Sequence, residues 1–494
     1  MKRHWLVPSL LLAALAGCTD LDVTNPNQQT TDTFWRNQND AVQAVNASYN
    51  GLQLRGAYGR WLAFAYDIRA DVGQSRSGWG EFSQFHKFTL GSYDFEVNTE
   101  IYGHHYQAIF RANQVIANAP GITMDEGLKA RLIGEAKFIR GLLYYNLAVL
   151  YGSVPLVLQP STANDRTPSA TNAQVWAQVE KDFSEARAVL PTSYGGQDLG
   201  RATQGAATAM LGKAYLQQRK WTEAATAFAQ VVGSGRYQLV SDYGNNFRVE
   251  GDNNSESIFE VQFGGPAQLS SGTVGVTFPR MAGPCDVGFC DVQPTAWFVS
   301  QFDTERTVGG QVDPRKDATI FYNRPGGMDV FGKPFATRYP NGRYNLPIDS
   351  TFFWKKYTEH YLTEQDWDNA INIKVARLGG VLLLHAEALN ESNRPAEALP
   401  FLNQVRARAG LAPVPGGLGQ AAMRARIEHE QVKELGFEME RFMYLQRHDM
   451  LNSAEVRAHD PDEFKFFVPN KSELLPIPTT EIAQNPNVKQ NPGY

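Results

Sequence analysis

Residues 203–232 read TQGAATAMLGKAYLQQRKWTEAATAFAQVV, and this stretch decides the fold. Its apolar residues recur at intervals of three and four, which places them along one face of a helix. Gly212 and Ala224 are small enough to let two helices approach closely, while Tyr215 and Phe228 are large enough to fill the space between helix pairs. The stretch therefore predicts two helices that pack against each other as a hairpin.

The order of residues in this hairpin matches a known repeat. The run LGKAY at 211–215 fits the L-G-x-x-Y of the first helix of a tetratricopeptide repeat. Trp221 begins the second helix, in which Ala224 and Phe228 supply the A-x-x-x-F. Helices of such repeats cannot bury their apolar faces alone, so neighbouring hairpins have to stack.

Two further blocks of the chain have helical spacing. Residues 128–151 keep it up to Tyr151 and Gly152, and Pro155 prevents the helix from continuing. Residues 374–445 contain a second hairpin, interrupted by NRP at 393–395 and ending at Gly410, and then one more helix. We expect the three blocks to stack into one right-handed superhelical core, which makes the fold mostly α.

Two segments lack helical spacing and differ in composition. Residues 54–100 and 240–370 are rich in Gly, Pro, Asn and aromatic residues, and the second contains a strand-like run, IFEVQF, at 258–263. A stretch this long without helix inside a compact domain is usually functional rather than connective. The sequence thus predicts a tetratricopeptide-like helical superhelix that carries two irregular, partly β, aromatic-rich inserts.

The N-terminus carries a targeting signal. Lys2 and Arg3 precede an apolar run at 5–16, which is too short to span a bilayer and is typical of a secretory signal. LAGC at 15–18 matches the lipobox of bacterial lipoproteins, although an ordinary signal peptide with an incidental cysteine is the alternative. We therefore predict a signal peptide at 1–17, lipidation of Cys18, a polar tether at 18–33 and the folded domain at 34–494.

Composition excludes several classes of partner. Of the 494 residues, 43% are hydrophobic and 20% are charged, as in ordinary globular proteins. The net charge is −5, and removal of Lys2 and Arg3 with the signal peptide makes it −7. A mildly acidic surface argues against nucleic acid and against electrostatic binding to a membrane. Only the lipid is then expected to hold the protein at the membrane.

The two cysteines other than Cys18 lie close together. Cys285 and Cys290 belong to the run GPCDVGFC at 283–290. In an oxidising compartment such a pair suggests one disulfide. The loop it closes is so short that the bond constrains the unfolded chain by only about 2 kcal/mol, so its expected role is to hold a surface loop in shape. No His or further Cys stands nearby to make it a metal site.

A series of short runs extends over the whole mature chain. In order they are LD at 21–22, FW at 34–35, AVQAVNASY at 41–49, EAKFIRGLLYY at 135–145, YGSVPL at 151–156, GRAT at 200–203, AEALN at 386–390, NQVRARAG at 403–410, FE at 437–438 with Arg441 and Arg447, LPIP at 475–478 and QNPGY at 490–494. Through these runs the chain resembles the SusD/RagB family of outer-membrane nutrient-binding lipoproteins. Two departures stand out. Gly379 or Gly380 replaces an acidic residue, and Gln431 replaces an Arg after Glu430; we interpret both as altered scaffold contacts.

This resemblance implies a function that periodicity and composition do not. It implies a lipoprotein of the outer membrane, facing the cell surface, that binds oligosaccharide and passes it to a partner TonB-dependent transporter of the SusC type. Some members of the family take peptides or other nutrients instead, and the sequence leaves the ligand open. The rival function is a structural adaptor that uses its repeats in envelope assembly; the aromatic inserts and the C-terminal run count against it.

No catalytic motif is complete. HEQVK at 429–433 begins like the zinc motif H-E-x-x-H but has Lys433 where the second histidine must stand. A glycosidase needs two carboxylates about 5–10 Å apart in a cleft, and the 51 acidic residues single out no such pair. We expect no enzyme activity, no cofactor and no metal.

Sugar binding needs flat apolar faces surrounded by polar groups, and aromatic residues in the inserts are the candidates. Trp79 is flanked by two glycines in the run SGWGEF at 77–82, so it has no bulky sequence neighbours to bury it. For every candidate, core packing is the alternative. The candidates in order of preference are Trp79 and Phe82 with Asp71, Gln74 and Arg76 as polar partners, then Trp354, Tyr357 and Tyr361, then Trp297 with Phe298.

The lipid anchor gives the first testable prediction. In the Cys18→Ala variant the acylated thiol is absent, so the protein should lack labelled fatty acid and accumulate in a soluble or unprocessed fraction. Metabolic labelling and membrane fractionation measure this, with the wild-type protein as control. Normal acylation of the variant would contradict the assignment of Cys18.

Overall fold

The computed structural model describes residues 34–162, 164–264, 275–360 and 369–494, and long helices dominate these ranges. Cys18 and Tyr361 lie outside the described residues. The long helices are α1 Gln38–Leu52, α2 Glu96–Asn118, α3 Glu126–Tyr151, α4 Asn172–Val189, α5 Gln204–Gln217, α6 Trp221–Gly233, α7 Leu378–Glu391, α8 Pro395–Arg408 and α9 Gln420–Leu435.

These helices form one continuous stack in chain order. Each of α1 to α7 packs against the next, and α7 then contacts both α8 and α9. The contact between α6 and α7 bridges the whole second insert, so the stack is not interrupted where the chain leaves it. This arrangement confirms the predicted tetratricopeptide-like helical superhelix.

The hairpin that predicted the fold consists of α5 and α6. Ala224 is fully buried, and a Cβ added at Gly212 would lie 2.7 Å from the Phe228 ring, so this helix crossing requires a glycine. Thr203 caps α5 by accepting a hydrogen bond from the Ala206 amide at 3.1 Å. The predicted end of α3 is also confirmed, because Gly152 follows it with φ of 71°.

The strands lie in or beside the inserts and pair only in twos among the described residues. They are β1 Gly73–Ser75, β2 Ser257–Val261, β3 Val292–Pro294, β4 Ile320–Phe321, β5 Asp329–Val330, β6 Lys333–Pro334, β7 Phe353–Trp354 and β8 Ile373–Arg377. The antiparallel pairs are β1–β3, β2–β8, β4–β7 and β5–β6. The predicted strand at 258–263 is therefore β2.

The prediction that the inserts contain no helix is wrong. The short helices are Trp61–Asp67, Gly80–His86, Phe278–Ala282, Ala296–Gln301, Arg315–Thr319, Phe335–Arg338, Arg441–Arg447, Ala454–His459, Pro461–Phe464 and Thr479–Gln484, and Arg55–Gly59 is a π-helical turn. The six before residue 370 lie in the inserts. All seven residues of Trp61–Asp67 are buried, so this helix has no polar face and shows no amphipathic period.

The start of the third helical block also differs from the prediction. Residues 374–377 belong to β8, and the helix begins only at Leu378. All five residues of β8 are buried, so the strand has no alternation between polar and apolar faces. Its partner β2 lies more than a hundred residues earlier, so local spacing could not identify the strand.

A buried charge network joins the second insert to the last scaffold helices. The members are six cations, Arg315, Lys356, Arg377, Arg406, Arg408 and Lys433, and six carboxylates, Glu256, Glu305, Asp313, Glu430, Glu434 and Glu438. Arg377 lies 2.7 Å from Glu256, 2.6 Å from Glu434 and 2.7 Å from Glu438. With equal numbers of both signs, the interior carries no net charge here.

The cations of the network lower the pKa of four of its carboxyl groups, those of Glu305, Asp313, Glu434 and Glu438. Burial alone opposes ionisation of Glu434, but Arg408, Arg377 and Arg315 outweigh it and hold the pKa of this carboxyl well below its ordinary value. Removing one partner from such a cluster leaves an uncompensated buried charge, which is strongly destabilising. The parts of the chain that supply these groups must therefore be in place together.

The two departures from the SusD/RagB pattern lie in scaffold helices. A Cβ at Gly379 in α7 would lie 2.6–2.7 Å from atoms of Arg377, Glu256 and Glu434, so this glycine leaves room for the charge network. Gln431 in α9 is buried and donates to Glu387 at 2.7 Å. Both residues make scaffold contacts, as interpreted from the sequence.

Substitution of Arg377 tests the network. The Arg377→Met variant leaves Glu256, Glu434 and Glu438 without their shared cation, so the free energy of unfolding should fall by about 3–5 kcal/mol. Arg394→Met is the matched control, since Arg394 pairs with Glu397 while its side chain is 45% exposed; its loss should cost less than about 1 kcal/mol. Urea unfolding measures both. Equal unfolding midpoints for the two variants would show that the network contributes little.

Acid should weaken the protein through Glu305. Burial opposes its ionisation, but Arg406 and Lys433 outweigh burial and lower the pKa of Glu305 from 4.5 to about 2. A carboxyl whose pKa is lower in the folded than in the unfolded state stabilises above its unfolded pKa, and this contribution is lost as pH falls through the folded pKa. Between pH 4.5 and 2 the wild type should therefore lose more stability than Glu305→Gln. Parallel urea midpoints across that window would contradict this assignment.

Candidate functional site

A two-stranded ribbon joins the two inserts, and all of its residues except the half-buried Gln74 are buried. In this ribbon β1 runs antiparallel to β3, with Gly73 opposite Pro294 and Ser75 opposite Val292. Beyond one end, the Ser77 hydroxyl donates to Asp291 Oδ1 at 2.7 Å. Beyond the other end, the Thr295 amide donates to the Val72 carbonyl at 3.0 Å. Segments more than two hundred residues apart are thus held side by side.

Trp79 is half-buried beyond the first end of the ribbon. Its ring stacks on Phe82, with the ring centres 5.7 Å apart and the planes at 14°, and Phe95 meets it edge-on at 5.1 Å. Its amide donates to the Ser77 hydroxyl at 3.0 Å. A Cβ at Gly78 or Gly80 would have no neighbour within 4 Å, so the backbone on both sides of the tryptophan is open. The indole is therefore held by an aromatic cluster while part of it stays accessible.

Four of the aromatic candidates lie in the core, so the prediction that they contact ligand is wrong. Phe82 and Trp354 are 0% exposed and Tyr357 is 1% exposed. Trp354 stacks on Phe437 with ring centres 4.3 Å apart, and Phe437 lies in the C-terminal region. Phe298 is also fully buried. Phe82 is packed by Trp61, Phe64 and Trp79 of its own insert, whereas Trp354 is covered by a residue far along the chain.

The predicted polar partners of Trp79 also differ in their exposure to solvent. Asp71 is fully buried, and the Arg441 guanidinium donates to both its oxygens at 2.7 Å, so it is a structural ion pair and not a free partner for ligand. Burial opposes its ionisation, but Arg441 and His459 lower the pKa of Asp71. Gln74 is half-buried and donates to the Pro294 carbonyl at 3.1 Å. Arg76 is exposed, and of the three it is the most accessible to solvent.

Trp297 lies beyond the opposite end of the ribbon and is half-buried. Its indole stacks on the His459 ring with centres 3.8 Å apart and planes at 15°, and the Arg441 guanidinium lies 5.4 Å from the indole centre. His459 in turn contacts Asp71 at 2.8 Å. Trp297, the last of the aromatic candidates predicted from the sequence, is thus a partly accessible tryptophan whose ring packs on His459 above the buried Asp71–Arg441 ion pair.

Sequence reasoning missed Asp291, His459 and Arg441 as parts of this site. Asp291 is half-buried, burial raises its pKa, and it accepts the Ser77 hydrogen bond. Its position directly after Cys290, at the end of the predicted disulfide loop, is the one local feature of the sequence that could have identified it. No local signal connects Asp71 with residues 370 and 388 positions later.

The ribbon adjoins a small disulfide loop. Cys285 and Cys290 are bonded in the structure, two residues before β3 begins. Both cysteines pack in a satellite apolar cluster with Phe321, Phe335 and Phe353. The loop is therefore supported by the second insert as well as by its covalent bond.

The residues of the incomplete zinc motif at 429–433 have structural contacts. Lys433 Nζ lies 3.1 Å from Glu305 in the charge network, and His429 contacts the Thr304 hydroxyl at 3.0 Å. Within the described ranges no group of three or more His, Cys, Asp or Glu side chains is arranged to hold a metal ion. Among the same residues, no helix combines the length and apolar character that a bilayer span requires.

Comparison with known proteins gives the family. The sequence model of the SusD family matches residues 255–494, and a second model, described as "Starch-binding associating with outer membrane", matches residues 21–216. The chain belongs to the SusD/RagB family. The two matched ranges leave out residues 217–254, which contain α6, and together take in the other long helices and both strands of the ribbon.

Relatives in the SusD family resemble this chain along nearly its whole length. A SusD-like protein of Formosa agariphila is 26% identical over 94% of each chain. The crystal structure of a SusD superfamily protein from Bacteroides vulgatus superposes with a TM-score of 0.84 at 25% identity, covering 94% of this chain and 100% of that one. A laminarin-binding SusD-like protein superposes with a TM-score of 0.75 at 27% identity, covering 93% and 100%.

Proposed function

We propose that this SusD-family protein binds oligosaccharide on the side chains that flank the two ends of the β1–β3 ribbon and performs no chemistry on it. The observation that carries this proposal is the pair of half-buried tryptophans, Trp79 and Trp297, one beyond each end of the ribbon and each stacked on another ring. Supported indoles keep their orientation, which reduces the entropy lost when a ligand binds.

The groups around the ribbon suit sugar. The apolar faces of pyranose rings pack on aromatic rings, and hydroxyl groups need donors and acceptors at the edge. Arg76 supplies hydrogen-bond donors, and Asp291 and Ser77 supply oxygen atoms. All three adjoin the end of the ribbon that leads to Trp79. The ribbon thus combines two stacking surfaces with polar groups of both kinds.

The names of relatives point to the same class of ligand. One matching family is described as starch-binding and one similar structure as laminarin-binding, and both names denote polymers of glucose. We extend only the class, oligosaccharide, to this chain. The alternatives considered from the sequence, a peptide-binding member of the family and an adaptor for envelope assembly, have no comparable support from the ribbon.

The cellular setting is part of the proposal. The description of the second family as associating with the outer membrane supports a location there. We place the protein on the cell surface, anchored through lipid on Cys18, with a SusC-like TonB-dependent transporter as the partner that receives the oligosaccharide. Deletion of the gene for that transporter should abolish uptake while leaving binding by the purified protein unchanged.

An affinity-gel screen tests the binding function. The soluble protein that lacks residues 1–18 is run through native gels containing laminarin, starch, xylan, mannan or pectin, with serum albumin as the non-binding control. Retardation in at least one gel, without release of reducing sugar on prolonged incubation, is the expected result. Migration at the control rate in all five gels would overturn the proposal, and release of reducing sugar would make the protein an enzyme.

Trp79→Ala is the decisive variant. Truncation of an aromatic anchor commonly costs about 2 kcal/mol or more of binding energy, or roughly thirtyfold in affinity. Trp221→Ala is the matched control, because Trp221 is also half-buried and stacked, on His448 in the scaffold; it should leave binding unchanged. Isothermal titration with the retarding polysaccharide measures both affinities, and calorimetric melting measures both stabilities.

The outcome distinguishes binding from packing. If Trp79 acts only in the core, its truncation should instead cost about 3–5 kcal/mol of stability, the loss typical of a buried tryptophan. A variant that melts early but binds normally would remove Trp79 from the site.

A further inference from the structure

The second insert contains a cavity away from the two tryptophans. Its volume is about 180 Å³, more than ten times the roughly 10–15 Å³ that one water needs, so a small organic group fits inside. Three segments of the insert supply the described residues that line it, at 242–248, 314–318 and 355–360. The last of these begins with Lys355, directly after β7, and β7 packs against β3 of the ribbon.

The segments around the cavity are anchored to one another and to the buried charge network. The Lys355 amide donates to the Thr319 carbonyl at 2.8 Å, and the next residue, Lys356, is a cation of the network. In the first segment the Tyr243 hydroxyl donates to the Glu434 carbonyl at 2.6 Å. The cavity is therefore enclosed by parts of the insert whose positions are fixed.

Two half-buried cations that line the cavity have no carboxylate partner among the described residues. The Lys355 ammonium lies 5.6 Å from the centre of the Phe321 ring and forms no ion pair there, whereas the adjacent Lys356 pairs with Glu438 at 2.9 Å. The Nε of Arg248 is buried and donates to no group of the described residues. A buried nitrogen without a hydrogen-bond partner is rare in proteins, so its presence beside a cavity points to a ligand that accepts from it.

The cavity has a local excess of positive charge, although the chain as a whole carries −5. Two carboxylates also line it. Both oxygens of Asp317 accept hydrogen bonds, one from Arg324 at 2.6 Å and the other from the Tyr322 hydroxyl at 2.7 Å. Since Arg324 balances the charge of Asp317, the two unpaired cations are opposed only by Asp242, which is exposed.

The pKa values of two lining groups reflect this excess. Burial lowers the pKa of Lys355; the carboxylate of Asp317 opposes this effect, and Arg248 adds to it. Burial, followed by the charge of Lys355, lowers the pKa of His360 to about 4, so this histidine is neutral at pH 7. An anion between the two cations would offset their repulsion and favour the charged form of Lys355.

We propose that this cavity binds the anionic group of an acidic sugar, a carboxylate or a sulfate ester, between Arg248 and Lys355. Guanidinium and ammonium groups form strong, charge-assisted hydrogen bonds with such oxyanions. Phe247 and Pro314 also line the cavity and supply apolar surface for the ring that carries the anion. The inference rests on the proposed function for the statement that the ligand is a sugar, and it adds the class of sugar and a second site.

Isothermal titration of the soluble protein that lacks residues 1–18 tests the site. The probes are trigalacturonate, which carries carboxylates, a sulfated carrageenan tetrasaccharide, sodium sulfate as a free anion, and galactotriose as a neutral trisaccharide. At least one of the two acidic oligosaccharides should bind, and at least about tenfold more tightly than galactotriose. Its affinity should fall as salt is added, because salt screens the attraction between charges. The acidic probe that binds distinguishes a carboxylate from a sulfate ester.

Lys355→Met removes the charge and keeps a long, flexible side chain. It should weaken binding of the acidic oligosaccharide at least about tenfold, because one partner of a charge pair is lost. Lys333→Met is the matched control, since it removes the same charge from β6, outside the cavity, and should leave the affinity unchanged. Burial disfavours the charge of Lys355, so its variant should melt no lower than the wild type. Arg248→Gln is the second variant and should weaken binding in the same way.

Three results would overturn the inference. The first is that neither acidic oligosaccharide binds to the wild-type protein. The second is that the acidic probe binds equally well to the wild type, Lys355→Met and Arg248→Gln. The third is that sodium sulfate binds in a way that depends on Lys355 while neither acidic oligosaccharide binds, which would make the cavity a site for a free inorganic anion.

Failure of this inference is distinguishable from failure of the proposed function. If Trp79→Ala weakens binding of a polysaccharide and Lys355→Met weakens binding of no probe, the tryptophan site stands and the cavity is no ligand site. If binding of an acidic oligosaccharide depends on Lys355 but no binding depends on Trp79, the cavity stands and the tryptophans are not the site.

Discussion

Glu434, a fully buried carboxylate near the end of α9, is bonded to three arginines that come from three distant parts of the chain. Arg315 belongs to the second insert, Arg377 ends β8 and Arg408 ends α8. An uncompensated charge in the interior is strongly unfavourable, so the three arginines and their carboxylate partners have to be in place together. The network can be complete only when insert, strand and both helices have reached their final positions.

This requirement fixes the second insert on the scaffold. The helical stack passes directly from α6 to α7, and its packing alone leaves open how the intervening chain lies on it. Glu256 at the start of the insert and Lys356 near its end are both tied into the network. We infer that buried ion pairs give this insert its unique placement, while apolar contacts supply most of the stabilisation.

A second ion pair performs the same task for the ribbon. Arg441 is bonded to Asp71 of the first insert, and His459 contacts that same carboxylate beneath Trp297. Residues of three distant segments are thus held together by one buried carboxylate. Of the two tryptophans proposed to bind sugar, Trp297 rests on His459 and Arg441, whereas Trp79 is supported by Phe82 and Phe95.

The sequence by itself determined the scaffold, because helix packing is a local property with a readable period. Spacing of apolar residues and the LGKAY run at 211–215 predicted the repeat hairpin, and the glycine after Tyr151 predicted the end of a helix. The spacing of apolar residues did not identify short elements that are buried on all sides. Trp61–Asp67 and β8 are covered on every side, so neither has a polar face whose spacing could identify it.

Only the tertiary structure decided which aromatic residues lie at the surface. Trp79, Phe82 and Trp354 all stand in irregular, glycine-rich or aromatic sequence, yet Trp79 remains partly accessible while Phe82 and Trp354 are fully buried. Phe82 is covered by Trp79 itself and by Trp61, and Trp354 by Phe437. Burial depends on how the chain folds over a side chain, whether the covering residue is near in sequence, as Trp79 is to Phe82, or distant, as Phe437 is from Trp354.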